Sequence, residues 1–188
     1  MKNAIIVHGR PDKEEYYDLK YPSCSNSHWY PWLQKELLVH EVSAHTPEIP
    51  HAFEPDYQIW TREFERYEIT SETILVGHSC GGGFLIRWLS EHKDRSVGKV
   101  VLVAPWLDPD RESTTDFFDF EINSTMPQHT ASFTIFHSDN DSASIQKTVK
   151  ILRNKIIGYN FREFHNYGHF TFEDMKTTEF PELLKTLL

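Results

Sequence analysis

The sequence predicts an α/β protein, a three-layer sandwich in which a mostly parallel six-stranded sheet carries helices on both faces. Three observations predict it. Short, nearly continuous apolar runs, as at 3–7, 73–76 and 99–105, read as strands buried on both faces of a parallel sheet. Stretches of helical spacing alternate with them and no hairpin signature intervenes, which implies right-handed crossovers. At one junction a strand turns sharply into a helix through Gly77-His78-Ser79-Cys80-Gly81. At 188 residues the chain suits one domain, 1–188, whose core needs no disulfide or metal staple.

The first strand, 3–7, ends in His8-Gly9-Arg10. In an open α/β sheet that loop borders the crevice where strand order reverses and ligands bind; taken alone, His8-Gly9 is equally a plain strand-end turn. Residues 11–27 are polar, aromatic and turn-rich and read as an extended loop near the site. Ser27 has the chemistry of an N-cap for a helix whose spacing puts Trp32, Leu33, Leu37 and Leu38 on one face. Trp29, Tyr30 and Trp32 read as packing residues, or one of them as lining for an acyl pocket. A second strand at 41–44 precedes a Pro-interrupted loop, and Pro55 starts a crossover helix carrying Ile59, Trp60, Phe64 and Tyr67.

The third strand, 73–76, feeds the glycine-bracketed turn and a helix over 82–89. The fourth, 99–105, ends in Ala104-Pro105-Trp106. Residues 107–130 follow a strand's carboxyl end and are acidic, aromatic and aperiodic, so they read as a lid or substrate-pocket insertion, or equally as a solvated excursion. A fifth strand at 132–136 leads into His137-Ser138-Asp139-Asn140-Asp141 and a helix at 142–156. The sixth, 160–164, leads into Asn166-Tyr167-Gly168-His169-Phe170, and a last helix spans 181–188.

Gly77-x-Ser79-x-Gly81 between strand and helix is a nucleophile elbow, which holds its serine in a strained conformation above the sheet edge. Glycines two residues either side permit a backbone approach that a Cβ would block. A turn that merely joins strand to helix does not explain why, among 8 glycines, two bracket a serine there. An Asp after a later strand and a His after the last strand complete the chain order of an α/β-hydrolase triad. His169 would take the proton of Ser79, and an ionised Asp would hold the imidazole tautomer. Asp139 and Asp141 are both within reach. His165 falls at the end of the strand, whereas His169 lies on the loop that can fold over Ser79. If the first and third strands are neighbours, the backbone N–H groups of Arg10 and Cys80 form an oxyanion hole.

Composition excludes other classes. A formal charge of −9 repels polyphosphate, and no basic stripe with interleaved aromatics is present, which argues against nucleic acid. No apolar run is long enough to span a membrane, and the apolar start breaks at His8-Gly9, too soon for a signal peptide. Cys24 and Cys80 are expected as free thiols and the cytoplasm as the location. No H-E-x-x-H or Cys/His cluster suggests a metal, and no cofactor is expected.

Five stretches together resemble a known family. They are Ile6-Val7-His8-Gly9, Ser27-His28-Trp29-Tyr30-Pro31-Trp32-Leu33, Val76-Gly77-His78-Ser79-Cys80-Gly81-Gly82, the Asp139-Asn140-Asp141 turn and Tyr167-Gly168-His169-Phe170. The chain is similar over nearly its whole length to the small α/β-hydrolases related to retinoblastoma-binding protein nine, compact serine hydrolases with a minimal version of the fold. The elbow points to the superfamily and the tryptophan-rich segment to this subgroup. The resemblance implies a serine mechanism without naming a substrate, and its pattern selects Asp141, the last carboxylate before the helix, as the triad acid. Ser144-Ile145 stands where the family often has a Val-Pro pair. The expected activity is hydrolysis of a small carboxylic ester, or an amide, through an acyl-enzyme, with protein partners unassigned. The alternative is a non-catalytic protein-binding module on a hydrolase scaffold, docking through the acidic 107–130 segment.

Overall fold

The computed structural model describes residues 2–112 and 115–188. Six strands, β1 (Lys2–Val7), β2 (Val42–His45), β3 (Ile74–His78), β4 (Val97–Val103), β5 (Thr130–Ser138) and β6 (Asn160–Phe164), form one sheet in the order β2-β1-β3-β4-β5-β6. Every pairing is parallel. Parallel strands need both faces covered. Helix α2 (Tyr30–Val39) and the terminal α7 (Pro181–Leu187) pack together, α7 also touching β4, while α3 (Tyr57–Phe64) packs on α4 (Cys80–Glu91) and α4 on β3 and β1. Helix α5 (Ala143–Lys155) connects β5 to β6. The core is apolar from both sides of the sheet: Ala4 to Val7, Leu75, Val76 and Val100 to Val103 are all buried.

The connection from β1 to β2 runs one way along the sheet, and those after β2 run the other. The reversal opens a crevice at the carboxyl ends of β1 and β3, which are hydrogen-bonded neighbours with Val7 opposite Gly77. The loops carrying His8-Gly9-Arg10 and Ser79 therefore meet.

Local chemistry shifts several expected boundaries. Ser27 caps no helix: α2 begins at Tyr30, with Pro31 in its first turn, where a missing N–H is harmless. Its buried face is Tyr30, Leu33 and Leu37, while Leu38 is 54% exposed on the far side. Asp56, not Pro55, starts α3, its carboxylate accepting from the N–H groups of Gln58 and Ile59. Residues 11–27 are not wholly extended but contain α1 (Lys13–Tyr17) and a 3₁₀ turn at Cys24–Asn26. Ser142 does cap α5, accepting from Ile145 N–H. A short α6 (Phe172–Met175) follows the last loop, capped by Thr171.

Of the 107–130 segment, residues 113–114 lie outside the described residues. The rest is tied to the body. Phe117 is fully buried against Trp60 and Phe84, and Arg87 Nη1 donates to the carbonyls of Asp116 and Phe117 at 2.7 and 2.9 Å.

Candidate active site

Ser79 sits between β3 and α4 with φ 54° and ψ −119°, a backbone conformation that non-glycine residues avoid. Its neighbours enforce it. Ser79 N–H donates to Val103 O on β4, and Ser79 O accepts from the N–H groups of Gly83 and Trp106. A Cβ on Gly77 would lie 2.7 Å from Gly81 O, and one on Gly81 would fall inside the carbonyl oxygens of Val7 and His8. The elbow is thus closed on one side by its own helix and on the other by the end of β1. Gly9, in the loop after that strand, also contributes: a Cβ there would lie 3.2 Å from the Ser79 Cβ. In the sequence His8-Gly9 shows only as a loop bordering the crevice, and no local pattern marks this direct approach of Gly9 to the serine.

Arg10 lines the same cleft as Ser79, its guanidinium 4.9 Å from the Trp106 ring centroid. Cys80 opens α4, where a first-turn N–H has no partner one turn back. Neither of these two backbone N–H groups donates a hydrogen bond among the described residues. The Cys80 thiol is fully buried, and burial pushes its pKa up, so its sulfur is not a nucleophile here.

The loops after β5 and β6 are joined residue by residue. Ser138 Oγ accepts from Tyr167 N–H, Asp139 Oδ1 from Asn166 N–H, and Asn140 Oδ1 from Gly168 N–H at 2.8 Å. Asp141 continues the series with a side chain: His169 Nδ1 lies 3.0 and 3.1 Å from its two carboxylate oxygens. The Asp141 side chain is 2% exposed and also accepts from Ser142 N–H at 2.6 Å. A carboxylate only accepts, so Nδ1 carries the proton and Nε2 presents a lone pair. Asp139 instead pairs with His165 Nδ1 at 2.7 Å, which lowers the pKa of the aspartate and raises that of the histidine. The His165 side chain is 73% exposed, and neither residue lines the cleft at Ser79.

Three consecutive residues leading into α2 are tied to the stretch around His169, Tyr30 by way of His78. His28 Nδ1 accepts from Phe172 N–H, Trp29 Nε1 donates to Phe170 O, and Tyr30 Oη meets His78 Nδ1 at 2.6 Å. His78 Nε2 in turn donates to His169 O at 2.8 Å. From the far side Asp174 accepts from His169 N–H at 2.7 Å. These contacts are not legible in the sequence, where Trp29 and Tyr30 read as packing residues or as lining for an acyl pocket.

Ser79 and His169 line two cavities that meet between them. One, about 430 Å³, is walled by Arg10, Trp106, Asp141, Ile145 and Glu112. The other, about 280 Å³, includes Gly9, Tyr21, Cys24 and Glu15. In this conformation no hydrogen bond joins Ser79 Oγ to the imidazole; such bonds often tighten only with substrate in place. Trp29, Trp60 and Phe170 are fully buried in the core, whereas Tyr30 lines the smaller cavity and Trp106 the larger one. Trp106 is held there by a 2.8 Å bond from Nε1 to Ser144 Oγ.

Among the described residues, His8, Cys24 and Glu48 are the one group whose donor atoms gather closely enough for a metal. His8 and Glu48 already have hydrogen-bond partners. His8 Nδ1 donates to Gly9 O, leaving Nε2 to accept from Ile49 N–H, and the Glu48 carboxylate accepts from the N–H groups of Cys24 and Ser25. Burial, then the nearby carboxylates, pushes the Cys24 thiol up to about 12, away from the thiolate a metal needs. Cys24 and Cys80 are both free.

Comparison with known proteins extends this geometry. Residues 21–187 match the family model described as serine hydrolase. Over 190 residues the chain is 29% identical to YdeN of Bacillus subtilis (strain 168), which carries the name of a hydrolase, covering 96% of this chain and 91% of that one. The crystal structure of the ydeN gene product superposes with a TM-score of 0.77 at 22% identity, covering 100% of this chain and 97% of the other. Est1E of Butyrivibrio proteoclasticus, solved with ferulic acid bound, superposes at 0.63 with 12% identity, covering 100% and 86%. At those identities the two structures speak for the fold.

Proposed function

The chain belongs to the serine hydrolase family, and from that premise we propose that it cleaves a small carboxylic ester, or less readily an amide, through an acyl-enzyme formed on Ser79. The observation that carries this reading is the meeting, in one cleft, of a strained serine and an imidazole whose Nδ1 is bound to a buried carboxylate. Asp141 keeps the proton of His169 on Nδ1, so Nε2 takes the Ser79 proton as Oγ attacks the substrate carbonyl. The oxyanion accepts from the N–H groups of Cys80 and Arg10. Collapse expels the alcohol or amine, which leaves with the proton from Nε2. Water, deprotonated by the same nitrogen, then releases the acid and restores Ser79.

The cavity beside Trp106 and Ile145 suits a short acyl chain. We take the chain as one domain in which 107–130 is a pocket wall, since Glu112 lines the cleft and Phe117 anchors the segment. Within the family, the Ser27 to Leu33 segment supports a likeness to the small hydrolases similar to retinoblastoma-binding protein nine. No helix among the described residues is long and apolar enough to cross a membrane, and two free thiols suit the reducing cytoplasm. Labelling with a fluorophosphonate tests the mechanism without knowledge of the substrate. The wild type should label and turn over a short p-nitrophenyl ester, and Ser79→Ala should do neither while remaining folded. Labelling that persists in the variant, or moves to Cys80, removes Ser79 from its role.

A further inference from the structure

We propose that Tyr30 and His78 are positioning residues which fix the distance between Ser79 and His169, an inference that rests on the triad reading above. His169 needs two kinds of restraint. Asp141 sets the rotation of its ring, but the approach of the ring to Ser79 depends on where its backbone lies. That backbone is held at both of its polar groups: the N–H by Asp174 and the carbonyl by His78 Nε2. His78 is the last residue of β3, covalently next to Ser79. Two residues 90 positions apart are therefore joined through a single imidazole.

Tyr30 makes that link single-valued. The His169 carbonyl can only accept, so His78 must carry its proton on Nε2, and Nδ1 is left to accept the Tyr30 hydroxyl at 2.6 Å. Both ring nitrogens are engaged and the chain of bonds ends on a carbonyl, so His78 relays no proton to the substrate. The site is dry: Tyr30 is 1% and His78 2% exposed. Burial, reinforced by the histidines at 169 and 28, holds the His78 pKa well below its ordinary value and keeps the ring neutral. Without the hydroxyl, the competing tautomer would turn a lone pair toward the carbonyl and loosen the base from the nucleophile. A misplacement of about 1 Å can cost on the order of 10²-fold in rate.

The test compares Tyr30→Phe, His78→Gln and His78→Leu in the full chain, using a p-nitrophenyl ester, the fluorophosphonate labelling rate and the melting temperature. A Gln amide can place an N–H near the position of Nε2; Leu fills space and donates nothing. The expected result is a kcat and a labelling rate lowered ~10- to 10²-fold by Tyr30→Phe and His78→Leu, with KM little changed, and most of the rate recovered in His78→Gln. In the wild type, ¹⁵N spectra of the ring should show His78 as the Nε2–H tautomer, and Tyr30→Phe should show a mixture. Where His78→Leu does not fold, Tyr30→Phe, which removes one oxygen, carries the comparison. Equal losses in His78→Gln and His78→Leu that track melting temperature, or a Tyr30→Phe enzyme with wild-type kcat, overturn the proposal and leave the Ser79 reading standing. A wild type that does not label overturns both.

Discussion

Asp139 and Asp141 stand two residues apart on one loop, and each carboxylate reaches a different histidine. Burial decides which pair suits catalysis. The Asp141 carboxylate is dry, orients an imidazole in the cleft, and gains a further bond from Ser142 N–H. The Asp139 side chain is 42% exposed and accepts from a solvent-facing His165 Nδ1 and from Asn166 N–H. Exposed ion pairs of that kind contribute little. An amide at 141 would favour the wrong imidazole tautomer, a change that costs about 10⁴-fold in a well-studied protease triad. Asp141→Asn should therefore lower kcat by at least ~10²-fold and Asp139→Asn by less than ~10-fold. Steady-state kinetics at one pH, with both variants checked for folding, ranks them; the reverse order would transfer the acid role to Asp139. Gly81 offers a second test at this scale. Its missing Cβ faces the carbonyls of Val7 and His8, backbone atoms that cannot turn aside. Gly81→Ala should separate the elbow from β1, abolish labelling and lower the melting temperature, whereas Ser79→Ala should abolish labelling alone.

Among the elements, the segment after β4 depends on one anchor. Phe117 fills a space bounded by Trp60, Phe84 and Phe118, with ring centroids 4.9 to 6.3 Å away. Phe117→Ala should destabilise the protein by about 3–5 kcal/mol, as buried Phe truncations do. Urea denaturation measures it, and a loss under ~1 kcal/mol would mean that the segment is not anchored there. The elements whose evidence was periodic or steric were legible beforehand: the β-branched strands and the elbow bracketed by Gly77 and Gly81. The choice between Asp139 and Asp141 was not among them, since both follow the same strand and only the family resemblance favours Asp141. The missed elements lack such a signal. Helices α1 and α6 are five and four residues long and bury nothing, so no apolar stripe marks them. Ser27 and Asp56 are both good caps by chemistry, and only tertiary packing makes one of them act. The bonds of His28, Trp29 and Tyr30 to the His169 loop span more than 90 residues of chain or pass through a second side chain, and no local pattern encodes them.

Across the whole molecule, packing the polar apparatus of the cleft against the core leaves histidines buried in neutral form, and this ties stability to pH. His8, His28 and His78 all have pKa values lowered chiefly by burial, His78 most strongly. Unfolding returns each to an ordinary value near 6.5. The sign follows from proton counting. Above about pH 7.5 neither state binds a proton at these sites and they leave the slope of stability unchanged. Below about pH 6.5 the unfolded chain binds protons that the folded chain excludes, so stability falls with acidification until the folded-state values are reached. Each histidine can contribute at most about 1.4 kcal/mol per pH unit in that window. His165, raised by Asp139, acts in the opposite sense, but the pair is at the surface and its share is small. Melting temperature should thus hold steady from pH ~8.5 to ~7.5 and drop between ~6.5 and ~5, before most carboxylates titrate. His78→Gln removes the most strongly shifted of these groups while offering an N–H to the His169 carbonyl. Its curve should be flatter than the wild type over the same interval, and a wild-type slope in that variant would show that His78 is not the group that acid protonates on unfolding.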